Sequence, residues 1–195
     1  MEKTSSRYII GIDLGTTSCA LSFIDSLDPK KELQFFEAEQ WHDENSFCSQ
    51  KLLPSFCFIP PKSLAKKFVR KLPFQAYETN SSSNNYIIGE LAKKLSLAYP
   101  DNTIHSAKSW LSQGNIDHNA PLLPWKSNEL SSSKQLSAVE TSSLYIKYLK
   151  ETWNFEKGKI NINDRLENQT VIVTIPASFN ERSSELTLEA CLKAG

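Results

Sequence analysis

The stretch that most constrains this chain lies between residues 7 and 25. Tyr8, Ile9, Ile10 and Ile12 make a nearly continuous apolar run, the pattern of a strand buried on both faces. Asp13 closes the run, at a place where a buried carboxylate would need a partner. Gly15 and the hydroxyl residues Thr16, Thr17 and Ser18 follow. Residues 19–25 then read as another strand, with Ala20, Ser22 and Ile24 on one face and Cys19, Leu21 and Phe23 on the other. The whole predicts a hairpin whose tip is poor in bulk and rich in donors. Glycine lets the backbone turn and a ligand come close. Successive N–H groups in such a turn form an anion-binding concavity, and the hydroxyls add to it. A carboxylate repels phosphate, so Asp13 in such a site would hold a hydrated Mg²⁺ that accompanies the phosphates. An ordinary hairpin with an Asp-Gly type turn accounts for the same residues without a ligand.

A chain of 195 residues makes one good-sized domain or two small lobes. Its 22 basic and 22 acidic residues cancel, so no global field favours nucleic acid or an anionic membrane. No apolar run approaches a membrane span, and the N-terminus lacks a charged-then-apolar leader pattern, which predicts a cytoplasmic protein. Cys19, Cys48, Cys57 and Cys191 have no zinc-ligand spacing and read as reduced thiols. His42, His105 and His118 are spread out and belong to no triad.

Further along, residues 32–38 predict a third strand of an antiparallel meander, and residues 40–52 an irregular polar stretch with Trp41 packed on the sheet. Residues 53–59 read as a strand opening on Pro54. Lys62, Lys66, Lys67, Arg70 and Lys71 form a basic cluster without interleaved aromatics, which favours a solvated insert over base stacking. Tyr86, Ile87 and Ile88 predict a short strand before a helix reaching about Ala98. Residues 112–133 read as a long loop. Ser137 and Glu140 form a capping box for a helix to about Asn154 that buries Val139, Ile146, Leu149 and Trp153. The β-branched run 170–175 predicts a strand in the middle of a covered sheet. Asn180 then caps a last helix through Ala194.

Gly-Ile-Asp-Leu-Gly-Thr-Thr-Ser at 11–18 resembles the first phosphate motif of the actin, sugar-kinase and heat-shock ATPase superfamily. Its wording is closest to the DnaK-type heat-shock chaperones. Two later stretches agree in order and spacing. Asn102-Thr103, followed by Ala107-Lys108, is similar to the family segment that carries a cleft lysine. Val-Thr-Ile-Pro-Ala-Ser-Phe-Asn at 173–180 is similar to the family's Val-Thr-Val-Pro-Ala-Tyr-Phe-Asn. Leu-Pro-Ser-Phe at 53–56 resembles its Thr-Pro-Ser-Tyr strand. The loop at 112–133 sets the chain apart as a divergent branch.

The resemblance implies an α/β, RNase-H-like lobe with a mixed five-stranded sheet. Residues 1–52 and 126–195 would be its core subdomain, and residues 53–125 a smaller inserted α+β subdomain. It implies ATP or ADP with Mg²⁺ as ligands. Asp13 would bind Mg²⁺ through water, and Gly15, Thr16, Thr17 and Ser18 would cradle phosphates. Lys108 would be catalytic, and Pro176 would couple nucleotide state to a peptide-binding domain. Unfolded peptide clients and co-chaperones would be the partners. Ser18 replaces an aromatic residue usual in the family, and Ser184 an arginine that works with the switch proline; Arg182 stands two residues away. No second phosphate motif or adenosine segment occurs, so a fragment lacking a second lobe, inactive alone, is expected. A non-catalytic nucleotide-sensing module and a small-molecule kinase of the same superfamily are the alternatives.

Overall fold

The N-terminal apolar run is paired along both edges. β1 (Tyr8–Asp13) lies antiparallel to β2 (Ser18–Asp25) and parallel to β10 (Thr170–Thr174). The structure is a computed structural model that describes residues 6–64, 72–77, 86–131 and 134–195. β2 also pairs with β3 (Gln34–Phe35) and β6 (Leu52–Pro54), which completes the expected five-stranded mixed sheet. β4 (Ala38–Trp41) and β5 (Phe47–Gln50) form a separate hairpin. β7 (Phe56–Phe58) is the middle of a three-stranded sheet, flanked by β8 (Ile87–Ile88) and β9 (Thr103–His105). The short helices are α1 (Pro73–Tyr77), α2 (Glu90–Leu95) and α3 (Ala107–Leu111). Two longer ones, α4 (Ala138–Trp153) and α5 (Glu181–Ala194), pack against each other. No helix among the described residues is long and apolar enough to cross a membrane.

α4 starts where the capping box predicts. Ser137 Oγ accepts from the Glu140 N–H at 3.0 Å, and the Glu140 carboxylate accepts from the Ser137 N–H at 2.9 Å. Val139, Ile146, Leu149 and Trp153 are all buried along it. The Trp153 ring meets Tyr8 of β1 and Phe23 of β2 edge-on, each at 5.1 Å between centroids. Its Nε1–H donates to the Asp164 carbonyl at 2.9 Å, so the buried indole leaves no polar atom unpaired. Asn180 caps α5 through the Ser183 N–H at 2.8 Å.

Several expectations are corrected. β1 is covered on one face only: Tyr8, Ile10 and Ile12 are buried, while Ile9 is 43% exposed. Among the described residues β10 pairs with β1 alone rather than lying between two strands, and Ile172 is 55% exposed. A continuous β-branched run shows that both faces are apolar, but it cannot say how many neighbours cover them. The third strand breaks into β3 and β4, and the stretch read as irregular holds β4 and β5. Trp41 does pack, against Phe47 at 4.4 Å, across a turn in which Asp43 accepts from the Asn45 and Ser46 N–H groups. The strand at 53–59 divides at Ser55, where the chain passes from the five-stranded sheet to the small one. α2 stops at Leu95, short of Ala98. Of the basic cluster, Lys62 is exposed; Lys66, Lys67, Arg70 and Lys71 lie outside the described residues.

A fully buried side chain ties these layers together. Gln40 Oε1 accepts from the Glu90 N–H at 2.9 Å, and its Nε2 donates to the Leu52 carbonyl at 3.0 Å. Gly89, at φ 92°, precedes α2 and has no side chain to cap it, so Gln40 supplies the cap from another strand. Gln40→Leu leaves a buried donor and a buried acceptor unpaired, and should cost about 2 kcal/mol or more in urea unfolding.

Arg7 closes the other end of the sheet, donating to Asp25 at 2.8 Å and to Asp164 at 3.0 Å. The hydrogen bond from Arg7 holds the Asp25 carboxyl below its usual range. A depressed carboxylate contributes stability above its unfolded value, near pH 4, and loses it as pH falls through the folded value. Asp25→Asn should therefore lower the melting temperature at pH 7. The gap to the wild type should close as the pH is taken below about 4 in a melting series.

Candidate functional site

The hairpin tip between β1 and β2 is held from below. Leu14 is buried and anchors the turn in the core. A Cβ on Gly15 would fall 2.0 Å from the Ser18 carbonyl oxygen, so only glycine fits there. Ser55, itself buried, donates its hydroxyl to the Gly15 carbonyl at 2.7 Å and its N–H to the Thr17 carbonyl at 2.9 Å. Cys19 Sγ lies 3.4 Å from Ser55 Oγ, and burial pushes the Cys19 thiol up to about 11, so it stays protonated at neutral pH. Thr16 and Thr17 are exposed, and their hydroxyls make no hydrogen bond among the described residues.

The second wall comes from β10. Its parallel register sets Thr174 beside Asp13, so both strands end at the same edge of the sheet. The Thr174 hydroxyl donates to Asp13 Oδ1 at 2.9 Å, and Asp13 remains exposed to solvent. Open edges at the carboxyl ends of parallel strands are where α/β sheets bind ligands. Past β10 the chain turns at Pro176, whose carbonyl accepts from the Phe179 N–H at 3.0 Å.

The third wall is Lys108. Ala107 and Leu111, both buried, fix α3 to the core, and Ser106 enters the helix with a left-handed φ of 56°. Lys108 is only 8% exposed. Its Nζ stands 5.8 Å from the centre of the Phe179 ring, and no carboxylate pairs with it among the described residues. The charges of Lys108 and Asp13 both act on the buried Cys19 thiol, in opposite directions.

Asp13, Gly15, Thr16, Thr17, Ser18, Lys108 and the turn at Pro176 therefore gather around one end of the sheet. Chemically, the edge offers backbone and hydroxyl donors, one ammonium on a buried side chain and one solvent-facing carboxylate. That set suits a polyanion carrying a hydrated divalent cation, since Mg²⁺ keeps several waters and binds through one or two carboxylates plus phosphates. Among the described residues no group of three or more His, Cys, Asp or Glu could hold a metal directly. Three contributors escaped the sequence reading: Thr174, Phe179 and Ser55. Thr174 follows only from the register of β10 on β1, and Ser55 only from the change of sheet at that residue. Arg182 stays on its own helix, 3.5 Å from Glu185, and the Ser184 hydroxyl donates to the Asn180 carbonyl.

No family model matches the chain. A search of curated proteins finds it 23% identical, over 205 aligned residues and 97% of its length, to a Saccharomyces cerevisiae protein named iron-sulfur cluster biogenesis chaperone, mitochondrial. The chain spans 27% of that relative's length.

Because both threonine side chains are exposed and bond nothing among the described residues, replacing Thr16 and Thr17 with valine should leave the melting temperature unchanged. Affinity for Mg·tripolyphosphate, followed by amide shifts in an NMR titration, should fall about tenfold. Unchanged affinity would return the tip to an ordinary turn.

Proposed function

Because the chain is distantly homologous to a DnaK-type heat-shock chaperone along nearly its whole length, we propose that it forms the first lobe of a chaperone's nucleotide-binding domain. In this reading the lobe holds the phosphate tail of Mg·ATP, and the whole protein hydrolyses it to drive peptide binding and release. The observation that carries it is Lys108, a buried side chain whose ammonium has no carboxylate partner among the described residues and acts on the thiol beneath a donor-rich hairpin tip. A cation held beside those donors without a counter-ion attracts an anion to the tip.

The roles then follow from charge and reach. Thr16, Thr17, Ser18 and the Gly15 turn receive the β- and γ-phosphates through N–H and hydroxyl donors. Asp13 repels the phosphates directly, so it engages them through the hydrated Mg²⁺, which neutralises part of their charge. Lys108 points its ammonium where negative charge grows on the transferring phosphoryl group and orients the attacking water. Chemistry of this kind is largely positioning and electrostatics. Pro176, in the turn that also carries Phe179 to Lys108, relays occupancy towards a peptide-binding domain. Co-chaperones and unfolded peptides are the partners this implies. Residues 1–52 and 126–195 make the core subdomain, and 53–125 the inserted one.

A single lobe offers an open, solvated surface, where exposed charges are screened. Calorimetric titration of this chain with Mg·ATP should give a dissociation constant of about 1 mM, some 4 kcal/mol. Tripolyphosphate should compete and AMP should not, because the tail carries the contacts. In a protein holding both lobes, Lys108→Ala should cut single-turnover hydrolysis by about a hundredfold while nucleotide still binds. Normal turnover without Lys108, or competition by AMP equal to that of tripolyphosphate, would overturn the reading.

A further inference from the structure

Ser55 stands where the chain leaves β6 for β7, 1% exposed, and it engages the hairpin tip at more than one point. Its N–H meets the Thr17 carbonyl at 2.9 Å, a contact that continues the pairing of β6 with β2 and that any residue but proline could make. The hydroxyl is different. It donates its single proton to the Gly15 carbonyl at 2.7 Å, so the nearby Cys19 thiol, 3.4 Å away, must be the donor in their contact. Thiol, hydroxyl and carbonyl thus form a buried relay that ends on the turn.

The relay has a geometric consequence. In a trans peptide the C=O and the following N–H point in opposite directions. Drawing the Gly15 carbonyl inward, towards Ser55, therefore turns the Thr16 N–H outward. Without that hydroxyl the Gly15–Thr16 peptide loses its inward partner. A rotated plane would present a carbonyl dipole where an anion needs an N–H. Neither the sheet pairing nor the core contacts of Leu53 and Phe56 require the hydroxyl.

We propose that Ser55 is a positioning residue for phosphate binding: its hydroxyl, by holding the Gly15 carbonyl, fixes the Thr16 N–H in the direction that receives a phosphate oxygen. This inference rests on the phosphate reading of the hairpin and goes beyond it, because Ser55 lies beneath the tip and touches no ligand.

The test is an NMR titration of the chain with Mg·tripolyphosphate, following the amides of Thr16, Thr17 and Ser18. Ser55→Ala should keep a dispersed, folded spectrum, move the Thr16 amide in the ligand-free state, and weaken binding about tenfold. Ser55→Thr retains the hydroxyl and should stay within about threefold of the wild type, a rescue that a purely space-filling role would not give. If Ser55→Ala does not fold, Ser55→Thr is compared with Ser55→Cys, whose thiol is a weaker donor. Affinity should then follow donor strength, and equal affinities would overturn the proposal. A folded Ser55→Ala that binds as tightly as the wild type removes the role from Ser55 and leaves the phosphate site standing. A wild-type chain whose tip amides ignore tripolyphosphate removes both.

Discussion

The parallel pairing of β1 with β10 is the contact on which the rest depends. It joins segments whose facing residues, Asp13 and Thr174, are 161 positions apart. Everything between them is an excursion that must return in register. Because the pairing is parallel, both strands deliver their chain exits to the same edge. One exit is the glycine turn and the other is the Pro176 turn. An antiparallel pairing of the same strands would have put these turns at opposite ends of the sheet, with no shared site.

Register is held by packing at the other end. Trp153 lies across Tyr8 and Phe23, so the α4 C-terminus sits over the start of β1 and the end of β2. A one-residue slip of either strand would turn its inward residues to solvent. Arg7, bridging Asp25 and Asp164, fastens the same end with charge-assisted bonds. The closed end is therefore apolar and pinned, and the open end polar. Removing a buried aromatic such as Trp153 would cost about 3–5 kcal/mol, enough to threaten the fold of a marginally stable lobe.

Much of this was legible along the chain. The capping box, the Asn180 cap and the alternation of β2 each report local geometry, and each appears where the residues place it. Burial was less legible. The apolar run of β10 looks the same at an edge as in a centre, because composition records the character of a face and not its cover. β4 and β5 were missed because Trp41 and Phe47 are separated by polar residues that obscure the alternation. The candidate site was half legible: Asp13, Gly15, Thr16 and Thr17 cluster in sequence, and Lys108 and Pro176 were reached through a family resemblance. Ser55, Thr174 and Phe179 are joined to them only by the fold, through contacts between residues far apart in the chain.

Lys108 carries a further consequence when considered by mass action. Only the folded state holds this ammonium beside the donors of the hairpin tip; the unfolded chain gathers no such site. Whatever anion completes the site therefore acts as a folding ligand, adding stability as RT ln(1 + [L]/Kd). For a ligand at a hundred times its dissociation constant that is about 2.7 kcal/mol, a sizeable share of what a domain this size possesses. Supply of that anion would then set the abundance of the folded chain, and α3, which holds the lysine, would be the first element to feel its withdrawal.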